Sequence, residues 1–100
     1  MAKQDKTFRI NTTSPKLARA LDQAWHIDTV NIVGTFASKA AFIRALRSSP
    51  VGRNWSEGAA REWMSEGTFD ENLTPGVLYA EPDTSPRADG PIPIAPVVGE

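Results

Sequence analysis

The sequence lacks cysteine and contains a single histidine among its 100 residues. Without cysteine there are no disulfide bonds, no thiol nucleophile and no thiolate ligands for zinc. His26 alone cannot build a zinc site, and its position just after a helical pattern favours a helix-dipole or surface role over that of a catalytic base. The carboxylates between Glu62 and Glu71 lack the regular oxygen spacing of a calcium-binding loop. We therefore predict no metal site, no cofactor and no catalytic residues.

Long apolar runs are also missing. No segment approaches the roughly 20 consecutive apolar residues that span a bilayer. The charged start of the chain is not followed by the apolar stretch of a signal peptide. Phosphate-binding loops and nucleophile elbows are absent as well. We therefore expect a cytoplasmic protein that is not an enzyme.

Charge is divided along the chain. Residues 1–53 carry nine lysines and arginines against three acids, a net charge of +6, whereas residues 54–100 carry two arginines against nine acids, a net charge of −7. The overall charge of −1 hides this dipole. Such a division is typical of a protein with one half facing a polyanion, or of a fold whose halves attract each other. Head-to-tail homo-oligomers through the complementary halves are a further expectation.

The first third of the chain predicts a strand and a helix. Residues 7–10 alternate between apolar and polar side chains and predict a short strand at a sheet edge. Ser14 followed by Pro15 predicts a helix start, because serine caps free N–H groups and proline suits the first helical turn. The apolar stripe of this helix is formed by Leu17, Ala20, Leu21, Ala24 and Trp25.

A buried strand and a second helix follow. Residues 30–36 are rich in β-branched side chains and predict a central strand, in which Gly34 indicates a bulge or a close backbone approach. Ser38 predicts the N-cap of a helix over residues 39–48. Pro50 ends this helix, because the residue before a proline resists the α-helical conformation.

The third helix is predicted from a capping box. Asn54 and Glu57 have the required spacing, so we expect a helix over residues 55–66 with Gly67 at its C-terminus. Its apolar stripe would be formed by Trp55, Ala59, Ala60, Trp63 and Met64. The Thr-Pro-Gly sequence at residues 74–76 then predicts a turn before a last short strand.

These elements predict one α+β domain over residues 1–81, with a small two- or three-stranded sheet packed with three helices in the order β-α-β-α-α-β. Residues 82–100 hold five of the eight prolines and predict an extended, Pro-rich C-terminal tail. Such a strip either stays unattached or docks on an aromatic groove or a sheet edge at little entropic cost. The residues expected to dock are Pro91, Ile92, Pro93, Ile94 and Pro96.

Basic residues around the second helix form the candidate binding site. We expect them to contact a partner protein or phosphate groups, and they are Lys39, Arg44, Arg47 and Arg53. Trp55 joins this site as well: it belongs to the apolar stripe and is expected in the core, but an exposed tryptophan at this helix start would be an anchor of the kind that dominates interfaces. The helix pair also has the order of a helix-turn-helix, whose second helix enters the major groove of DNA. Against that alternative, residues 55–66 contain three glutamates and only one arginine, and this net negative charge would repel phosphate.

The run Val30–Leu46 is a strand that continues into an Ala/Arg-rich helix, and an acidic helix and the segment Thr74–Pro82 come later. In this succession, over roughly residues 30–82, the chain resembles small uncharacterised α+β proteins of actinobacteria and their phages. It departs from them at residues 47–50, where Arg-Ser-Ser-Pro replaces a Gly-Val-Ser turn. The resemblance implies a phage accessory protein that acts on a host factor. We therefore predict a non-enzymatic macromolecule-binding protein whose partner is a host protein, with helix-turn-helix-like DNA binding as the alternative.

Overall fold

The part of the chain that the structure describes folds into an antiparallel sheet with three short helices. A computed structural model describes residues 5–21, 28–69, 71–82 and 92–94. The strands are β1 (Lys6–Thr13), β2 (Thr29–Phe36), β3 (Ser65–Gly67), β4 (Leu78–Pro82) and β5 (Ile92–Pro93). The helices are α1 (Pro15–Ala20), α2 (Lys39–Ser48) and α3 (Glu57–Trp63). The predicted α+β class is confirmed.

The sheet has more strands than the sequence indicates. Its order is β3-β1-β2-β4-β5, and all neighbouring strands are antiparallel. The prediction of two or three strands was therefore too small, and β1 is an interior strand rather than an edge strand. The central position of β2 is confirmed. The sequences Ser-Glu-Gly and Ile-Pro of β3 and β5 are too short and contain too few strand-forming residues to predict a strand, and they are strands because they pair with longer neighbours.

One face of the sheet carries the hydrophobic core. Phe8 and Ile10 of β1 and Ile32 of β2 lie on this face, because residues two apart in a strand share a face and Ile32 pairs with Ile10. All three are almost fully buried. Phe42 of α2 packs over the sheet, with its ring centroid 5.6 Å from that of Phe8 and 5.6 Å from that of Phe36. Aromatic pairs at this separation stabilise a fold beyond the area that they bury. This cluster therefore fixes α2 on the sheet.

Gly34 leaves the room that these rings need. It lies opposite Phe8 in the β1–β2 register, and a Cβ atom there would come within 2.5 Å of Phe36 Cε1. Of the two predicted alternatives, a bulge or a close backbone approach, the second fits, because the carbonyl oxygen of Val77 would lie 3.1 Å from this Cβ atom. A larger residue would require the Phe36 ring to shift.

The starts of α1 and α2 follow local rules. The N–H of Leu17 donates to Ser14 Oγ at 3.3 Å, and the N–H of Ala41 donates to Ser38 Oγ at 3.1 Å. Both predicted caps are confirmed, and α2 has its predicted bounds. The predictions for Trp25 and His26 fall outside the described residues.

The third helix is shorter than predicted. Its N-cap is Ser56, whose Oγ accepts from the N–H of Ala59, so the capping box at Asn54 was wrong. Helix α3 ends at Trp63, and the predicted last turn instead forms β3 beside β1. Pairing with β3 provides hydrogen-bond partners for backbone groups of β1, and these groups would lack partners there if α3 continued for another turn. Gly67 therefore lies in a strand and not at a helix C-terminus.

Part of the Pro-rich segment belongs to the sheet. Ile92 pairs with Ala80 and Pro93 with Tyr79, and the N–H of Ile94 donates to the carbonyl of Leu78 at 3.1 Å. Pro93 is tolerated because β5 is an edge strand, where a missing N–H costs no ladder bond. Ile94 is buried among the core residues. Pro91 and Pro96 lie outside the described residues.

Gly52 is essential to the exit from α2. A Cβ atom there would overlap the carbonyl oxygen of Leu46 and lie 2.6 Å from Leu46 Cδ1. We expect Gly52→Ala to lower the free energy of unfolding by about 1–3 kcal/mol, because the loop must shift. The matched control is Gly58→Ala in α3, where nothing lies within 4 Å and where the change should raise stability by about 0.5–1 kcal/mol. Urea unfolding measures both, and equal effects would contradict the close approach.

Ile94 tests whether the tail stabilises the domain. Truncation of a nearly fully buried isoleucine removes apolar burial and leaves a cavity, so Ile94→Ala should cost about 2–5 kcal/mol. Its exposed neighbour Pro93 is the control, and Pro93→Ala should change stability by about 0.5 kcal/mol or less. Thermal unfolding measures both variants. An Ile94→Ala variant with the same melting temperature as the wild type would contradict the packing of β5 on the domain.

Candidate functional site

Three of the four predicted basic residues meet at one groove. Arg44 and Arg47 of α2 and Arg53 of the α2–α3 loop line a groove of about 380 Å³. The remaining wall comes from Ala40, Ile43, Ser48 and Glu57. We call this surface the arginine groove. Lys39 is not part of its lining.

The loop after α2 brings Arg53 back to the helix. Residues 44 and 47 are three apart and share one face of α2. The N–H of Ser49 donates to the carbonyl of Leu46, the N–H of Gly52 to that of Ser49, and a third turn bond joins Trp55 to Gly52. Because Gly52 has no side chain, this loop packs directly on Leu46. The return places Arg53 beside the two helix arginines.

The arginine groove keeps uncompensated positive charge. Arg47 Nε donates to the carbonyl of Trp55 at 3.1 Å, which holds this guanidinium against the loop. Arg44 and Arg53 make no hydrogen bond or ion pair with another described residue. The carboxylate of Glu57 is paired with Arg61 at 3.2 Å. Two exposed guanidinium groups are therefore open to an anion from outside.

Other basic residues are paired across the two halves of the chain. Lys6 Nζ lies 2.6 Å from Glu66 Oε2, and an Arg9 N–H donates to Glu81 Oε1 at 3.0 Å. A polar groove of about 430 Å³ beside β3 contains Arg9 and Glu66, whose charges are thus compensated. The positive charge of Lys39 helps to lower the pKa of Glu66, although Lys39 does not line this groove. The sequence dipole is therefore neutralised in part within the fold.

Trp55 lies on the core side of the fold, as its place on the apolar stripe predicts, and it is not a free anchor. It is half-buried, packs against the core, and its indole N–H donates to Thr12 Oγ1 at 3.2 Å. Trp63, which the helical stripe placed inward, is 68% exposed. Trp63 is the last residue of α3, in which only Ala60 is fully buried. The helical stripe therefore identified the buried Ala60 but placed the exposed Trp63 on the wrong side.

The two tryptophans line a second groove, of about 600 Å³. Its other lining residues are uncharged, and they are Asn11, Thr12, Thr13, Val51 and Asn54. We call this surface the tryptophan groove. Sequence spacing offers no signal for it, because its walls come from β1, the α2–α3 loop and the end of α3.

Comparison with protein-family models, with curated proteins and with solved structures finds no match to this chain. Within the described ranges, acidic and histidine side chains do not gather in groups of three or more that could hold a metal ion. Among the described helices, none has the length and apolar character needed to cross a membrane. The site is therefore interpreted from its own geometry.

Glu66 reports the pairing beside β3. The hydrogen bond from Lys6 Nζ lowers the pKa of Glu66 below its ordinary value, and the positive charges of Lys6 and Lys39 act in the same direction against desolvation. A lowered folded-state pKa means that this pairing stabilises the fold above the unfolded-state pKa and is lost as the pH falls through the folded-state pKa.

The expected result is that Lys6→Met raises the pKa of Glu66, because both the hydrogen bond and the nearest charge are removed. NMR titration of the Glu66 side chain measures this directly. Lys16→Met removes an equal charge from exposed α1 and should leave the Glu66 pKa lowered. A pKa that does not move in the Lys6 variant would show that the pairing does not form in solution.

Proposed function

We propose that this chain is a non-enzymatic binding protein whose arginine groove docks an acidic surface of a partner protein. The observation that carries the proposal is the convergence of three arginines on one groove, two of them without a counter-ion among the described residues. Guanidinium groups suit this role, because they form paired hydrogen bonds with carboxylates and keep their charge at any physiological pH. The resemblance to phage proteins makes a bacterial host protein the expected partner.

Duplex DNA is the second candidate, and the length and charge of α3 count against it. A reader helix must enter the major groove with side chains that reach the bases. Helix α3 has seven residues, and Glu57 and Glu62 are exposed on it. These carboxylates would face the phosphate backbone in that geometry, at an electrostatic cost. An acidic protein surface can bind at the arginine groove without α3 having to enter a groove of the partner.

Charge reversal of the arginine groove tests the proposal. We expect Arg44→Glu with Arg47→Glu to weaken retention of the partner about 10-fold or more, because attraction becomes repulsion on the same surface. The matched control is Lys16→Glu with Arg19→Glu, which makes the same change in net charge on exposed residues of α1. Tagged wild-type and variant chains are compared in pull-downs from a bacterial host lysate, after urea unfolding has confirmed that both variants fold.

Nuclease treatment separates the two candidate functions. A protein band that survives nuclease and disappears only with the groove variant supports the proposal. Recovery that vanishes with nuclease supports nucleic-acid binding instead. Equal loss in both double variants would show that net charge, and not the groove, controls the interaction. Sedimentation of the wild type alone tests the separate proposal that its charged halves drive self-association.

A further inference from the structure

The arginine groove and the tryptophan groove lie on either side of one short segment. Arg53 lines the first and Asn54, the next residue, lines the second. The guanidinium of Arg47 is bonded to the carbonyl of Trp55, whose indole ring lines the tryptophan groove. The consecutive residues 53–55 therefore contribute to both grooves.

The two grooves differ in charge. The arginine groove presents Arg44 and Arg53, whose guanidinium groups have no counter-ion among the described residues, whereas the described residues that line the tryptophan groove are all uncharged. The exposed indole of Trp63 offers a large apolar face, and the exposed amide of Asn54 offers a donor and an acceptor beside it. The combined surface is thus cationic at one end and neutral and aromatic at the other.

We infer that the occupant is a single peptide segment of the partner, in which acidic residues adjoin an aromatic or large aliphatic side chain. Its carboxylates pair with the arginine groove, and its apolar side chain packs on Trp63 in the tryptophan groove. The inference rests on the proposed function and adds a specificity to it. Tryptophan and arginine are the residues that contribute most binding energy at protein interfaces, and here both kinds lie on adjoining surfaces.

Charge complementarity selects this occupant over the others. A neutral ligand of the tryptophan groove would leave the two free arginines unused. A single-stranded nucleic acid could stack a base on Trp63, but its backbone would also meet the exposed carboxylate of Glu62 on the same helix. A peptide with localised acidic residues uses both grooves. Unlike a nucleic-acid backbone, it does not carry negative charge along its whole length.

The test is selection from a displayed library of random peptides on the immobilised full chain, followed by affinity measurement on synthetic copies of the enriched peptides. Five proteins are compared: wild type, Trp63→Ala, Trp63→Phe, Phe69→Ala, and the Arg44→Glu and Arg47→Glu double variant. Phe69 is the matched control, because it is also an exposed aromatic side chain but lies at the groove beside β3. Trp63→Phe serves as the conservative variant.

The wild type is expected to enrich peptides in which aspartate or glutamate lies near an aromatic or large aliphatic residue. Trp63→Ala should weaken the binding of these peptides about 10-fold or more, corresponding to at least about 1.4 kcal/mol. This variant should keep only the preference for acidic residues. Phe69→Ala should bind like the wild type, and Trp63→Phe should retain most of the affinity. The arginine double variant should lose the acidic preference.

Three results would overturn the inference in different ways. Acidic peptides enriched without an apolar residue, or bound equally by Trp63→Ala, would remove the tryptophan groove from the interface and leave the proposed function intact. No acidic enrichment by the wild type would overturn the proposed function together with the inference. If oligothymidylate competed with the selected peptides for the wild type but not for Trp63→Ala, the tryptophan groove would be assigned to a nucleobase instead.

Discussion

The contact of Phe42 with Phe8 and Phe36 is the interaction on which the rest of the structure depends. It holds α2 against the sheet, at ring separations of 5.6 Å, and Gly34 makes it sterically feasible. Because the inner face of α2 is used in this way, its arginines are left on the outer surface. The binding surface is therefore a consequence of how the core is packed.

The loop that follows α2 converts this helix surface into a groove. Its return depends on Gly52 packing against Leu46, and the Arg47–Trp55 hydrogen bond ties the loop to the helix. The same segment separates the cationic groove from the neutral aromatic one. Elsewhere, basic residues of the first half pair with acids of the second half. The fold thus neutralises part of its charge dipole and leaves positive charge in the arginine groove.

Local chemistry explains what could be predicted. Ser14 and Ser38 cap helices through hydrogen bonds within three residues, so a short stretch of sequence suffices to identify them. The same holds for β2, whose β-branched residues favour a buried strand. Helix α3 shows the limit, because Asn54 and Ser56 are both good caps and helical spacing could not choose its end. Strand β3 decided that end by pairing with β1.

The sequence by itself determined the α+β class, the first two helix starts, the central strand and the set of basic residues around α2, because each depends on near neighbours in the chain. Only the tertiary structure decided the five-stranded sheet, the burial of Ile94, the exposure of Trp63 and the separation of Lys39 from the three arginines. These features depend on contacts between residues far apart in sequence. No local propensity encodes which distant strand or loop will satisfy a backbone edge or cover a side chain.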